Sequence, residues 1–346
     1  MERIEITSEQ PPISTESDQQ SGDWRRILPG LVVSAVALAL VFYFADLRKL
    51  GEALRLADYR YVFLSILITL TWLFVRGMVW RTLLQDRASY PAVFWSLNEG
   101  YLLNNLLPFR LGEVGRSYLL ARKSGLDFWQ VLSTIVIERL MDLALAAGLL
   151  LSTLPFVVGA TWARQAAILV AVMVILGFAA LYLLARNQAS AMRMIERLGA
   201  RWPVTLRLSG KMLTSFFTGL NVITDGMRFL KAVAWMLLNW VVAIAQYTIM
   251  VNAFFPGTKL LWATFSLGVA AMGIAAPSSP GALGVMELSI VGALSLFRLD
   301  ASVALALAIT LHLVQYLITG ALGAIGLARD GESLIHIYRK VRKFKG

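Results

Sequence analysis

The feature that most constrains this chain is a series of apolar blocks, each about as long as a helix must be to cross the hydrocarbon core of a bilayer, roughly 17 to 25 residues. They fall at 28–45, 61–80, 127–154, 165–185, 231–254 and 301–328. Lipid offers the backbone no hydrogen-bond partner, so each block is expected to be a helix. Composition agrees: 58% of the 346 residues are hydrophobic and 15% are charged, whereas a soluble domain carries roughly a quarter of its residues charged. The expected fold class is an all-α integral membrane protein with about six transmembrane helices.

Two stretches do not read as simple spans. One is 91–120, PAVFWSLNEGYLLNNLLPFRLGEVGRSYLL, broken at Pro108; the other is 261–297, broken at Pro277 and at Pro280-Gly281. Proline removes an amide donor and glycine loosens the backbone. A broken helix at membrane depth persists only where protein or a wet cavity satisfies the freed groups. Both stretches are therefore expected to be re-entrant hairpins.

Charge placement assigns the sides. The formal charge is +11, but the basic residues cluster between apolar blocks, as the positive-inside bias requires. This reads as a solvated cytoplasmic face that can attract anionic lipid head groups, not as a nucleic-acid surface. Arg25 and Arg26, the segment 186–231 and the basic tail all go inside, while the loops near Pro155 and Pro256 go outside. The loop 46–60, with Arg48, Lys49, Arg55 and Arg60, falls on the outer side against this bias.

The chain then divides into a disordered cytoplasmic tail (1–23), a membrane domain (24–330) and a basic cytoplasmic tail (331–346). A multi-pass protein of the cell (inner) membrane is expected, with both termini in the cytoplasm. Within the domain, 28–154 and 165–328 each run span, amphipathic connector, span, broken hairpin, span, in opposite orientation. The connectors carry Leu47, Leu50 and Leu54 in one repeat, and Leu213, Phe216, Leu220 and Ile223 in the other. Inverted repeats whose broken helices meet near the midplane are the usual build of secondary transporters.

Ionisable residues at membrane depth cost about 2.5–3.5 kcal/mol each on insertion scales, so they line a path or pair with one another. Here the first hairpin holds Asn98, Glu99, Asn104, Asn105, Arg110, Glu113 and Arg116. The following helix holds Glu138, Arg139 and Asp142, and the second hairpin Ser278, Ser279 and Glu287. Arginine suits a phosphate because its planar fork donates two hydrogen bonds. The functional reading is a polar groove for a charged head group, lined by Asn104, Asn105, Arg110, Glu113, Arg116, Glu138, Arg139, Asp142, Ser278, Ser279 and Glu287. The structural reading pairs Arg139 and Arg116 with Glu138, Asp142 and Glu113, including the i,i+3 pairs Glu113/Arg116 and Arg139/Asp142, to hold helices in register. Both readings stand at this point.

Other residues read more simply. Arg76 is expected to snorkel to the surface. His312, with Gln315 one turn on, reads as packed and hydrogen-bonded instead of as a proton relay. Gly320, Gly323 and Gly326 are expected to permit close helix contact. Trp24, Trp80, Trp95, Trp162, Trp202 and Trp262 are expected in the interfacial belts. The absence of cysteine removes disulfides and thiolate metal sites, and no metal-ligand spacing or nucleotide loop occurs. No metal or cofactor is expected. The longest polar segment is 186–231, too short for a soluble catalytic domain, and the arginine beside Glu138 and Asp142 argues against acid/base work. An enzyme is not the expected reading.

Three strings, PFRLGEVGRSYLLARKSG, TIVIERLMDL and PSSPGALGVME, together resemble the family named for the transmembrane region of lysylphosphatidylglycerol synthase, also called the flippase-like domain family. The similarity covers about 25–330. In that family the multiple peptide resistance factor joins such a membrane region to a cytosolic aminoacyl-transfer domain, and the membrane region moves the lipid outward. The resemblance implies functional positions at Pro108, Arg110, Gly112, Glu113 and Arg116, at Glu138, Arg139 and Asp142, and at Pro277, Pro280, Gly281, Gly284 and Glu287. Ala282 stands where a second glycine is common, and Met286 where an aromatic is common. The synthase domain has no counterpart in this sequence. The expected function is translocation of an anionic or modified phospholipid, with membrane lipids as partners, a lipid-modifying enzyme as a candidate protein partner, and no nucleic acid. The alternatives are a membrane-embedded transferase on a lipid-linked substrate, or a scaffold for a lipid-modifying enzyme.

Overall fold

The computed structural model describes residues 32, 35–43, 45–107, 110–158, 163–199, 210–275 and 279–331. Among them the secondary structure is helical, in the order α1 (35–43), α2 (Leu47–Leu56), α3 (Tyr59–Leu83), α4 (Tyr90–Leu106), α5 (Leu111–Ser124), α6 (Phe128–Val158) and α7 (Ala163–Arg186). The chain continues through α8 (Gln188–Gly199), α9 (Gly210–Leu220), α10 (Gly226–Phe254), α11 (Leu260–Ala275), α12 (Val285–Ser295) and α13 (Ala301–Asp330). Five of these, α3, α6, α7, α10 and α13, contain runs long and apolar enough to cross a membrane. Of the expected first span, 28–45, residues 28–31, 33, 34 and 44 lie outside the described residues, and the described part is helical up to residue 43.

The long helices begin where an aspartate side chain can take up the free amides of a first turn. Asp58 accepts from Arg60 N at 3.0 Å, Asp225 from Arg228 N at 3.1 Å, and Asp300 from Ser302 N at 2.8 Å. Gly125 and Gly331 end α5 and α13 in the left-handed conformation. Pro155 itself lies inside α6, which runs on to Val158, and the connection to α7 at 159–162 lies outside the described residues. The proline removes the amide that would bond the Leu151 carbonyl, and α6 ends three residues beyond it.

Packing follows the apolar faces. The central pair is α3 against α10, α4 lies along α13, and α11 lies along α6. The amphipathic α2 packs on α13, with Lys49 Nζ 3.3 Å from Asp300, and α9 packs on α6. The short helices pair within their own stretches, α4 with α5 and α11 with α12. At the α4–α13 contact, a Cβ on Gly323 would sit 2.6 Å from the Asn98 carbonyl, and one on Gly326 would sit 2.7 Å from a Glu99 oxygen. Gly320 meets nothing within 4 Å, so of the three expected contact glycines it is the exception. Lys123 Nζ ties the same region together, 2.7 Å from Glu99 and 2.5 Å from Asp330. The outward faces stay apolar: Leu169, Ile175 and Leu176 on α7 are more than half exposed, as lipid contact allows.

Candidate functional site

The two broken stretches approach each other at their breaks. In the first, α4 ends at Leu106 and α5 begins at Leu111, with Arg110 in the left-handed region at φ +53°. Pro108 lies outside the described residues. A non-glycine residue there costs about 1–2 kcal/mol and is kept where surrounding contacts demand it. Asn104 Oδ1 accepts from Gly112 N at 2.8 Å and closes the turn. In the second, Gly281 (φ +64°), Ala282 (φ +60°) and Gly284 (φ +83°) turn the chain into α12. Ser278 and Pro277 lie outside the described residues. Arg110 Nη2 donates to the carbonyl of Ile274, one residue before the end of α11. The tip of the first stretch is thus hydrogen-bonded to the break in the second.

Arg76 is the principal correction to the sequence reading. It is buried, 3% exposed, and does not snorkel. Its guanidinium grips Asp142 with Nη1 at 2.8 Å and Nη2 at 2.5 Å, and Nη2 also lies 2.5 Å from Glu138. The physical reason is complementarity. Glu138 is fully buried on α6, and a carboxylate without water needs a desolvated partner; α3 supplies one across the helix contact. The only signal in the sequence was an arginine with apolar neighbours on both sides in LFVRGMVW.

The expected Glu113/Arg116 pair is also replaced. Arg116 Nη2 donates to Glu138 at 3.2 Å, while Glu113 forms an ion pair with Arg139, 2.9 Å from its Nε, and lies 3.8 Å from Arg110. Glu113 and Arg116 both take their partners from α6, where Glu138 and Arg139 are adjacent. Arg139 does meet Asp142, at 3.2 Å. Trp80, expected in an interfacial belt, is fully buried: Arg116 stacks over its ring at 4.6 Å and its Nε1 donates to Thr134 at 3.1 Å. Trp24, Trp162 and Trp202 lie outside the described residues.

Four guanidinium groups therefore share three carboxylates. Arg76, Arg116 and Arg139 each have a carboxylate within 3.2 Å. Arg110, at 37% side-chain exposure and 3.8 Å from Glu113, is the least matched. A cavity of about 580 Å³ opens beside this network, within the range typical of small-molecule sites. Arg110, Glu113, Arg139, Asp142 and Asn105 line it, with Arg76 at its wall. Of the other expected residues, Arg116 and Glu138 sit behind the lining, and Asn104 is committed to the turn. Ser279 lies in the second break, where its hydroxyl is 3.2 Å from the Leu283 carbonyl.

Glu287 also faces away from the cavity. Its Oε2 accepts from Gly284 N at 2.7 Å and its Oε1 lies 2.5 Å from His312 Nδ1. The other ring nitrogen of His312 lies 3.0 Å from the Gly281 carbonyl, so this histidine is packed and hydrogen-bonded as expected. His312, Gln315, Tyr316 and Met286 complete the cavity on the α12–α13 side, with Asn239, Gln246 and Trp240 from α10. Sequence reading singled out none of Asn239, Gln246, Tyr101 and Tyr316 for this cavity. Each is one polar or aromatic residue in an apolar helix, and nothing local shows which way it turns.

Spanning helices packed round a charged interior cavity define a multi-pass membrane protein with a polar site at its centre. The chain belongs to the family described as the lysylphosphatidylglycerol synthase TM region, which matches residues 27–323. Among curated proteins it is 25% identical over 303 residues to a UPF0104 membrane protein of Methanothermobacter thermautotrophicus (strain Delta H), a match covering 83% of this chain and 88% of that relative. No solved structure matches it.

Proposed function

We propose that this protein moves an amphiphilic lipid with an anionic head group between the leaflets of the cell membrane. The observation that carries this reading is the cavity whose charge network holds one guanidinium more than it holds carboxylates, with Arg110 the unmatched group. A head-group phosphate entering the membrane must be desolvated, at a large cost unless charged partners replace its water. Arg110 and Arg139 offer such partners in a site whose remaining charges are already neutralised.

The way in which access alternates rests on the two repeats. Exchanging 28–154 for 165–328 maps several packed pairs onto one another: α4–α13 onto α11–α6, α2–α13 onto α9–α6, and α3–α10 onto itself. Two structurally equivalent halves related by a twofold axis account for that pattern. If each hairpin is re-entrant, each half crosses three times and the halves have opposite orientation, with both termini in the cytoplasm. The Arg110–Ile274 hydrogen bond then joins a hairpin entering from one face to a hairpin entering from the other. Sliding one past the other opens the cavity to each leaflet in turn. The acyl chains stay in lipid.

The test is exchange in liposomes. Purified protein is reconstituted with head-group-labelled phosphatidylglycerol, its lysyl ester or a polyprenyl-phosphate-linked sugar on one leaflet. Accelerated exchange of an anionic lipid without ATP is the expected result. A new covalent lipid species by mass spectrometry, without accelerated exchange, would replace this reading with a transferase. Neither outcome with any of the three lipids would leave the scaffold.

A further inference from the structure

The charged groups of the cavity bond to one another, whereas five of its neutral polar side chains have no partner among the described residues. Gln315, Tyr101, Tyr316, Trp72 and Trp240 line the cavity, and their side-chain amide, hydroxyls and indole nitrogens have no hydrogen-bond partner among the described residues. Gln246 spends its Nε2 on Ser65 and keeps its oxygen free. The Tyr316 hydroxyl is buried as well as unpartnered. Trp72 stacks on Tyr101 with ring centroids 6.0 Å apart.

This set has a definite chemistry. Indole nitrogens only donate, while an amide and a phenol both donate and accept. Leaving such groups unsatisfied in a buried site is costly. Ligand hydroxyls, which also donate and accept, match all of them at once. The flat indole and phenol faces suit the C–H face of a ring that carries those hydroxyls. No member of the set is charged, and every carboxylate of the cavity is within 3.2 Å of an arginine nitrogen. An ammonium on the head group would meet surplus guanidinium charge and no free carboxylate.

We propose that the head group taken here is a cyclic polyol, a sugar or an inositol, carried on one phosphodiester, and that aminoacylated lipids are refused. The phosphodiester meets Arg110 and Arg139; the ring lies among Gln246, Gln315 and Tyr316. This rests on the anionic-lipid reading above, so the test uses equilibrium binding, which does not depend on movement between leaflets.

Affinities are measured on the detergent-solubilised full chain with short-chain lipids: dihexanoyl phosphatidylinositol, phosphatidylmethanol and lysylphosphatidylglycerol, together with free inositol monophosphate. Phosphatidylmethanol carries the same single charge without hydroxyls. Phosphatidylinositol should bind about tenfold or more tightly than phosphatidylmethanol, as two or more added hydrogen bonds imply. The lysyl ester should be the weakest lipid. In the double variant Gln315→Leu/Tyr316→Phe the preference should vanish while phosphatidylmethanol binding stays within about twofold, a change of less than one hydrogen bond's worth. Equal affinity for phosphatidylinositol and phosphatidylmethanol overturns the proposal, and so does a lysyl ester that binds as tightly as phosphatidylinositol. Should the double variant fail to fold, the ranking on the unaltered protein still decides. The predicted ranking without accelerated exchange in liposomes would sink translocation and leave this inference standing. Inositol monophosphate binding as well as its lipid would keep the polyol phosphate and remove the lipid.

Discussion

Exposure divides the arginines of the charge network into two kinds. Arg76 is buried and lies within 2.5 Å of both Glu138 and Asp142. Removing one member of a buried pair leaves an uncompensated charge and costs about 3–5 kcal/mol. Arg76→Leu should therefore lower the thermal midpoint in detergent sharply, and Glu138→Ala should do the same, since Glu138 is fully buried and holds both Arg76 and Arg116. Arg110 is over a third exposed and bonds only to a backbone carbonyl and, loosely, to Glu113. Arg110→Ala should leave the midpoint within about 1 kcal/mol of the unaltered protein, as one partly exposed hydrogen bond implies, and should abolish lipid exchange. If Arg110→Ala unfolds the protein as Arg76→Leu does, the network is structural throughout. A milder change tests the second break. Ala282 sits at φ +60°, in the position where the family resemblance puts a glycine. Relief of about 1–2 kcal/mol of left-handed strain outweighs the extra chain entropy of glycine, about 0.5–1 kcal/mol. Ala282→Gly should stabilise slightly in thermal melts.

At the scale of elements, the contact of α4 with α13 depends on side chains that are absent. A Cβ on Gly323 already overlaps the Asn98 carbonyl and Leu102. Gly323→Leu should separate the two helices and cost more than the about 1–3 kcal/mol of ordinary overpacking, because backbone must move. Gly320→Leu, with open space around it, should be tolerated, and the two thermal midpoints should differ accordingly. The hairpins offer a test of motion. The chain has no cysteine, so cysteines introduced at Leu106 and Leu283 permit a cleavable bifunctional maleimide to join the two stretches. Exchange should stop on cross-linking and return on cleavage; exchange that continues while the link is intact rules out sliding of the hairpins. Much at this scale was legible beforehand. The boundaries of the five long helices moved by five residues or fewer from the apolar blocks, since the length of a span is set by lipid thickness. Both breaks fell at the proline and glycine positions, since those residues cannot keep the backbone ladder whole. Pro155 does not itself end α6, which continues to Val158.

For the whole molecule, the decisive quantity is topology. Single cysteines at Arg87, Arg122 and Thr214 should label from the cytoplasm, and cysteines at Pro256 and Glu52 from outside. Labelling of Arg87→Cys and Arg122→Cys from opposite faces would make the first stretch a full crossing and remove the twofold relation between halves. Arg48, Lys49, Arg55 and Arg60 remain a local exception to the positive-inside bias under this topology. Part of that charge is held: Lys49 pairs with Asp300, and Asp46 N donates to Ser302 at 2.8 Å, so α2 is anchored to the start of α13 by specific contacts instead of by the field of a leaflet.

The sequence by itself determined the membrane class, the extent of the five long helices, the two breaks and the set of residues that bear charge. Those properties are local: they follow from hydrophobicity over a span and from the backbone chemistry of proline and glycine. Only the tertiary structure decided who pairs with whom. Asn104 turns out to close its own hairpin, Glu287 caps α12, and Arg76 leaves the surface for Glu138 and Asp142. Direction is the reason. A helix places a residue every 100° around its axis, so the sequence states that an arginine and two carboxylates exist on separate helices, while only the rotation and crossing of those helices bring their atoms within hydrogen-bond reach.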